Sequence, residues 1–274
     1  MSGAGELTRP GWAPAGIDLT KPNVARVYDY YLGGAHNFAV DRQFAAQAIR
    51  DWPQLPRIMR VNRAFLRRAV RFLVDAGIRQ FIDLGSGIPT AGNVHEIAQA
   101  VDPSCRVVYA DVDPIAVAHG RAILAGNDRA TAIEADLRDT GKVLSDPELT
   151  RVVDLSQPVA VLLIAVLHFV PDTDDPVGVI ARYRQAMAPG SYLAICHATQ
   201  GGQPERAATH QAMYSRTATP MTMRSADQVA AMLDGFDLVE PGLVYMACWR
   251  PEDDDPAASH PEDYPGYAAV GRKR

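Results

Sequence analysis

The sequence predicts an α/β protein: a Rossmann-like sheet, mostly parallel, with an antiparallel C-terminal strand and an N-terminal helical cap. Three observations carry this prediction. From Gln80 to Cys196, apolar runs of strand length alternate with helix-period segments, the rhythm of a parallel sheet with right-handed crossovers. The first run leads into Asp83-Leu84-Gly85-Ser86-Gly87, a glycine turn of the kind that opens a ligand site at the carboxyl end of such a sheet. No helical pattern separates the extended segments 236–249 and 267–270, so these two are expected to pair antiparallel.

Taken in order, residues 1–20 are rich in Gly, Pro, Ala and Thr without periodicity, and are expected to form a disordered arm. The rest is expected to be one domain, with a helical cap over 21–76 and a Rossmann-like core over 77–274. A helix starting at Pro22 puts Val24, Val27, Tyr28, Tyr31 and Leu32 on one face, and Gly33-Gly34 ends it. After a polar and aromatic stretch (36–41), helical pattern resumes as far as Trp52-Pro53. The next helix has Phe65, Leu66, Ala69, Val70 and Leu73 at core spacing, with Gly77 at its C-terminal cap. Arg60, Arg63, Arg67, Arg68 and Arg71 recur on that helix and read as its wet face.

The first strand contains Phe81 to Asp83, and the helix after it has Val94, Ile97, Ala98 and Val101 on one face. A second strand covers 106–110 and ends in Asp111-Val112-Asp113-Pro114, where Asp113 suits the N-cap of a helix opened by proline. The third strand spans 130–134 and runs into Ala135-Asp136-Leu137. The fourth, 159–165, is apolar throughout, as a central strand covered on both faces should be. A helix from Pro176 to Pro189-Gly190 leads to a fifth strand at 192–196. Residues 199–224 read as a polar loop with a short helix around Met213-Tyr214. A capping box, Ser225-x-x-Gln228, opens a helix carrying Val229, Met232 and Leu233 and closed by Gly235. Residues 236–249 then read as a strand pair or one long bent strand.

Composition narrows the function classes. With 274 residues, 47% of them hydrophobic, the chain can bury a large core. A formal net charge of −5 argues against nucleic acid as a partner. Cys105, Cys196 and Cys248 lie far apart without metal-site spacing and read as reduced thiols, so no bound metal is expected. No apolar run is long enough to span a bilayer, and the N-terminus lacks a signal pattern. A cytoplasmic protein with no membrane partner is the expectation.

The strand tips carry the chemistry. A nicotinamide fold wants Gly-x-Gly-x-x-Gly, but here Thr90, preceded by Pro89, holds the third position, which disfavours a dinucleotide oxidoreductase. What remains is Asp-x-Gly-x-Gly, whose acid suits a ligand with an ammonium group and no phosphate. S-adenosylmethionine has such a group, together with a ribose and an adenine. Asp111 at the second tip can accept both ribose hydroxyls, and Asp136 at the third can accept from the adenine amino group. Ala165, at the end of the fourth strand, leads into Val166-Leu167-His168-Phe169 beside the expected path of the methyl group.

At these residues the sequence resembles class I S-adenosylmethionine-dependent methyltransferases. More closely, it resembles the actinobacterial S-adenosyl methyltransferase family once catalogued as a domain of unknown function. The closer resemblance rests on Pro22-Asn23-Val24-Ala25-Arg26-Val27-Tyr28-Asp29-Tyr30-Tyr31-Leu32-Gly33-Gly34, on Asn37-Phe38-Ala39-Val40-Asp41 and on the stretch from Asn62 to Val70. It covers nearly the whole chain from about residue 18. The resemblance implies a methyltransferase fold and S-adenosyl-L-methionine as cofactor; it supplies no acceptor, and a small molecule is the expectation because the acidic charge disfavours nucleic acid. It also implies that Asp83, Gly85, Ser86 and Gly87 form the cofactor loop, that Asp111, Val112 and Asp113 flank the ribose, and that Asp136 and Leu137 read the adenine. The N-terminal helices stand where many class I enzymes keep a lid, with Tyr28, Tyr31, Asn37 and Phe38 as candidate linings. Arg63 is a candidate partner for the methionine carboxylate, against the plainer reading as a solvated face. His168 is the candidate general base, with His197 second. A protein that binds the cofactor without catalysis is the competing reading. Methylation of nucleic acid bases is disfavoured, because no Asn/Asp-Pro-Pro-Tyr motif follows the fourth strand.

Overall fold

A computed structural model describes residues 18–89 and 92–274. Most of the expected arm, 1–17, and the expectation placed on Thr90 lie outside the described residues. Among them the sheet has eight strands in the order β3-β2-β1-β4-β5-β8-β6, with β7 also on β8. These are β1 (Gln80–Leu84), β2 (Arg106–Asp111), β3 (Ala130–Glu134), β4 (Ala160–Ile164), β5 (Tyr192–Ala198), β6 (Phe236–Leu238), β7 (Val244–Tyr245) and β8 (Gly266–Lys273). The first five are parallel; β8 runs antiparallel to β5, β6 and β7. The mostly parallel sheet with an antiparallel C-terminal strand is therefore as expected.

The helices are α1 (Val24–Tyr31), α2 (Ala39–Asp51), α3 (Leu55–Asp75), α4 (Val94–Val101), α5 (Pro114–Ile123), α6 (Thr140–Leu144), α7 (Pro147–Val152), α8 (Pro176–Ala186), α9 (Pro204–Tyr214) and α10 (Ala226–Ala231). Alternation along the strands divides the core. Phe81, Val107, Tyr109, Ala160 and Leu162 face a layer shared with α1 to α5. Ile82, Leu84, Val108, Val161 and Leu163 face a layer shared with α6, α7, α8 and α10. Both faces of the central strands are covered, which is why they read as continuous apolar runs.

The N-terminal motif builds a buried polar frame. The Asn23 side chain caps α1 by accepting from the Ala25 N–H at 2.8 Å. Arg26 Nε donates to Asp41 Oδ2 at 2.9 Å, and the Phe38 N–H donates to the same oxygen at 2.8 Å. Asp29 accepts from the His36 N–H and from Asn37 Nδ2. Gly34 packs so closely on Asp29 that an added Cβ would lie 2.0 Å from its Oδ1. Helix α3 ends as expected: Gly77 has φ of 93°, its N–H meets Val74 O at 3.0 Å, and the Ile78 N–H meets Leu73 O at 2.9 Å.

Four expectations need correction. Arg68 is buried, not on a wet face; its Nε and Nη2 donate to the carbonyls of Trp249 and Met246, each at 2.8 Å. Arg63 is half-buried, whereas Arg60, Arg67 and Arg71 are exposed. The short helix around Met213-Tyr214 is the end of the 11-residue α9. Its inward face is Ala207, His210 and Tyr214, a stripe that hydropathy misses because two of the three are polar. Residues 236–249 are not two paired strands. β6 and β7 follow one another along the same edge of β8, interrupted by a turn in which the Gly242 N–H meets Val239 O. The short helices α6 and α7, which no periodicity announced, begin at the aspartate caps Asp139 and Asp146.

Among the described residues no helix is long and apolar enough to cross a membrane, and no group of metal-ligating side chains occurs.

Candidate active site

A cavity of about 440 Å³ opens over the carboxyl ends of β1 to β5. The turn after β1 forms its floor. Gly85 and Gly87 have φ of 67° and 66°, conformations that L side chains rarely adopt. A Cβ on Gly85 would lie 2.2 Å from Val166 Cγ2, so the turn is also a close approach to the segment after β4. At the tip of β2, Asp111 ties this turn down: Oδ2 accepts from the Gly87 N–H at 2.7 Å and Oδ1 from the Asp113 N–H at 2.8 Å. Asp113 in turn caps α5 through the Ile115 N–H at 2.8 Å.

Two carboxyls in this floor are pushed upward. Burial raises Asp83 to about 7, aided by nearby Asp111 and opposed by the Arg63 guanidinium. Burial likewise raises Asp111 to about 6 against the N–H groups of Asp113 and Gly87. Asp136, at the tip of β3, is lowered instead, because Arg138 grips both its oxygens while also pairing with Asp174. Ala165, just past β4, takes a φ of 58°, and its N–H donates to Cys196 O at 2.9 Å.

Of the cofactor residues expected from sequence, Asp83, Gly85, Ser86, Gly87, Asp111, Val112, Asp136, Leu137 and Ala165 all line this cavity, and Asp113 does not. Tyr28 and Tyr31 line it too; Tyr28 donates its hydroxyl to Asn62 Oδ1 at 2.8 Å. Asn37 and Phe38 do not, which corrects their reading as lid linings. Asn37 Nδ2 is spent on Asp29 Oδ2 and Gly34 O, and Phe38 packs with Ile88, Ile115 and Ala116.

His168 lines the cavity, but with the polarity opposite to that of a base. Its Nδ1 accepts from the Ala198 N–H at 3.3 Å, so the neutral ring carries its proton on Nε2. Burial, with His197 and Arg224 alongside, holds the imidazole well below its ordinary range and so uncharged. His197 is outside the cavity lining, and both its nitrogens are engaged. Nε2 accepts from Arg224 at 2.9 Å and Nδ1 donates to Ala198 O at 2.8 Å.

Two features, Arg224 and the wall formed by α3, escaped the sequence reading, while Arg63 falls on the site side of the two readings it was given. Arg63 lines the cavity beside Asp83; its Nη2 donates to Gly92 O at 2.6 Å, while its buried Nε has no partner. Arg224 is buried and fixes the turn that carries His168, donating to Leu167 O at 3.0 Å and Val170 O at 2.8 Å. The far wall is one face of α3: Leu55, Ile58, Met59, Asn62, Arg63 and Leu66. Their spacing of three and four residues is visible in sequence, but the same pattern fits ordinary core packing.

Comparisons with known proteins bear on the family and the fold. A family model described as S-adenosyl methyltransferase matches residues 10–274. A crystal structure of a candidate methyltransferase from Thermobifida fusca YX is 42% identical, with a TM-score of 0.90, over 97% of this chain and 100% of that one. A DUF574 family protein from Streptomyces avermitilis MA-4680 is 40% identical, also with a TM-score of 0.90, over 94% of this chain and 99% of that one. No curated protein matches.

Proposed function

Because the chain belongs to the S-adenosyl methyltransferase family, we propose that it transfers a methyl group from S-adenosyl-L-methionine to a small-molecule acceptor. Asp83 carries this reading. It is a buried carboxyl at the cavity floor, held near 7 for want of sufficient counter-charge, and an ammonium-bearing ligand supplies what it lacks. Gly85 and Gly87 support the fit, since their positive φ turns the backbone at the cavity floor without side chains.

The cofactor, when bound, supplies an electrophilic methyl group on a sulfonium. The chain supplies position. Asp83 takes the ammonium, and Arg63, with its unpartnered Nε, takes the carboxylate. Asp111 keeps lone pairs for the ribose hydroxyls after serving Gly87 and Asp113, and Asp113 acts through that hydrogen bond rather than by touching the ligand. The exposed Val112 side chain, with Asp136 and Leu137, borders the adenine, with Asp136 sharing its carboxylate with Arg138. Gly85, Ser86, Gly87 and Ala165 shape the backbone around the methionine portion. Tyr28 and Tyr31 wall the acceptor side. His168 presents an N–H that orients the acceptor. Holding reactants at near-attack geometry is worth up to ~7–11 kcal/mol in well-oriented systems, which leaves little covalent work for the protein.

Calorimetry with S-adenosylhomocysteine and with NAD tests the cofactor: heat with the first alone is expected, and no heat with it would sink the reading. Asp111→Ala should weaken S-adenosylhomocysteine at least tenfold, since buried charge-assisted hydrogen bonds contribute ~1.5–3 kcal/mol each. Transfer of label from methyl-labelled cofactor into cell extract separates an enzyme from a protein that only binds.

A further inference from the structure

The acceptor half of the cavity has a chemistry of its own. The charged side chains among the described lining residues are Arg63, Asp83, Asp111, Asp136 and Arg138, and all five belong to the cofactor end. Beyond Arg63 the wall is apolar or uncharged. α3 contributes Leu55, Ile58 and Met59, and the C-terminal half of the chain contributes Met221, Met223 and Met246. Aromatic rings close the sides. Trp52 meets His210 edge-on at 5.7 Å between centroids, and Phe169 meets Tyr214 at 5.6 Å.

The titratable groups on this wall stay uncharged. Burial raises the hydroxyls of Tyr28, Tyr31 and Tyr214, lowers His210 to about 4 and keeps the Cys196 thiol up at about 12. An ion entering here would lose its hydration without meeting a counter-charge, the costliest case for a buried ion. Flat rings suit edge-on aromatic walls, and methionines adapt to irregular outlines. The depth is set by α3: seven residues from Asn62 to Leu55 correspond to ~10 Å, room for a two-ring system. Uncharged polar groups on this wall, Thr199 and Thr219 among them, can anchor a ligand. Asn62 is another, with Oδ1 already accepting from Tyr28, and so is His168 through its Nε2 N–H.

The geometry points to an uncharged, largely aromatic acceptor of about two fused rings that offers a hydrogen-bond-accepting atom to His168. This rests on the methyl-transfer reading above, because it assigns the cavity's other end to the cofactor.

The test uses three probes of one shape and different charge at pH ~7.5: 2-naphthol, 2-naphthoate and 2-naphthylmethylammonium. Each is titrated by calorimetry into protein saturated with S-adenosylhomocysteine. 2-Naphthol is expected to bind at least tenfold more tightly than either ion. An ion that binds as well as the naphthol overturns the inference. So does the absence of binding by all three when S-adenosylhomocysteine binds, and in both cases the cofactor reading survives. Failure of S-adenosylhomocysteine itself to bind removes the cofactor reading and the acceptor assignment with it.

Discussion

Asp83 and His168 show how burial sets the chemistry of single residues in this site. In the free protein Asp83 titrates at about 7, so below that pH it is mostly protonated. It must shed its proton to hold an ammonium group. The dissociation constant of S-adenosylhomocysteine should therefore rise by up to ~tenfold per unit as pH falls below about 7, and level off above it. Asp83→Asn should bind more weakly and lose this dependence; an unchanged pH profile in the variant assigns the ammonium to another group. For His168 the prediction is spectroscopic. Nitrogen NMR of the imidazole should show a neutral ring protonated on Nε2 from about pH 5 to 8, because burial holds it far below 6.5 and Nδ1 is occupied. Titration near pH 6.5 would restore the general base read from sequence.

At the scale of elements, α3 does three jobs along 21 residues. Its N-terminal half walls the cavity, its middle brings Arg63 beside Asp83, and Arg68 fastens the segment after β7. Arg68→Ala would leave the buried carbonyls of Met246 and Trp249 without donors, at a cost on the order of 2–4 kcal/mol. Urea unfolding measures this; a loss below about 0.5 kcal/mol means that water replaces the guanidinium. Lysine should not rescue it, because a point charge cannot reproduce a planar fork serving two carbonyls. α9 belongs to the same scale. It packs Tyr214 edge-on against Phe44 of α2 at 5.1 Å, which turns a polar segment into a cavity wall.

For the whole molecule, the carboxyls at the strand tips link stability to the ligand. A buried acid whose pKa is raised contributes stability below its unfolded value of ~4, and that contribution is lost as pH rises through about 7. The ligand-free protein therefore carries the Asp83 burden most heavily at alkaline pH, where an ammonium group relieves it. At one fixed concentration, S-adenosylhomocysteine should raise the melting temperature more at pH ~8 than at pH ~6. Equal shifts at the two pH values would detach Asp83 from the ligand.

The βα alternation, the glycine turn and the acids at three strand tips were legible in the sequence because they are local. Strand length, turn chemistry and N-caps such as Asp113 depend on neighbours a few residues away. The family motif was legible as well, but only packing shows that Asn37, Phe38 and Asp41 hold the cap together rather than line the cavity. Tertiary structure decided the rest, since burial depends on residues far apart in the chain. It turned Arg68 inward toward Met246 and Trp249, some 180 positions away. It spent the Nδ1 lone pair of His168 on the Ala198 N–H, and it gathered Trp52, Phe169, Tyr214 and Met223 into one uncharged wall. A one-dimensional pattern assigns a helix its apolar face, but whether that face meets core, cofactor or acceptor is set by the elements packed opposite.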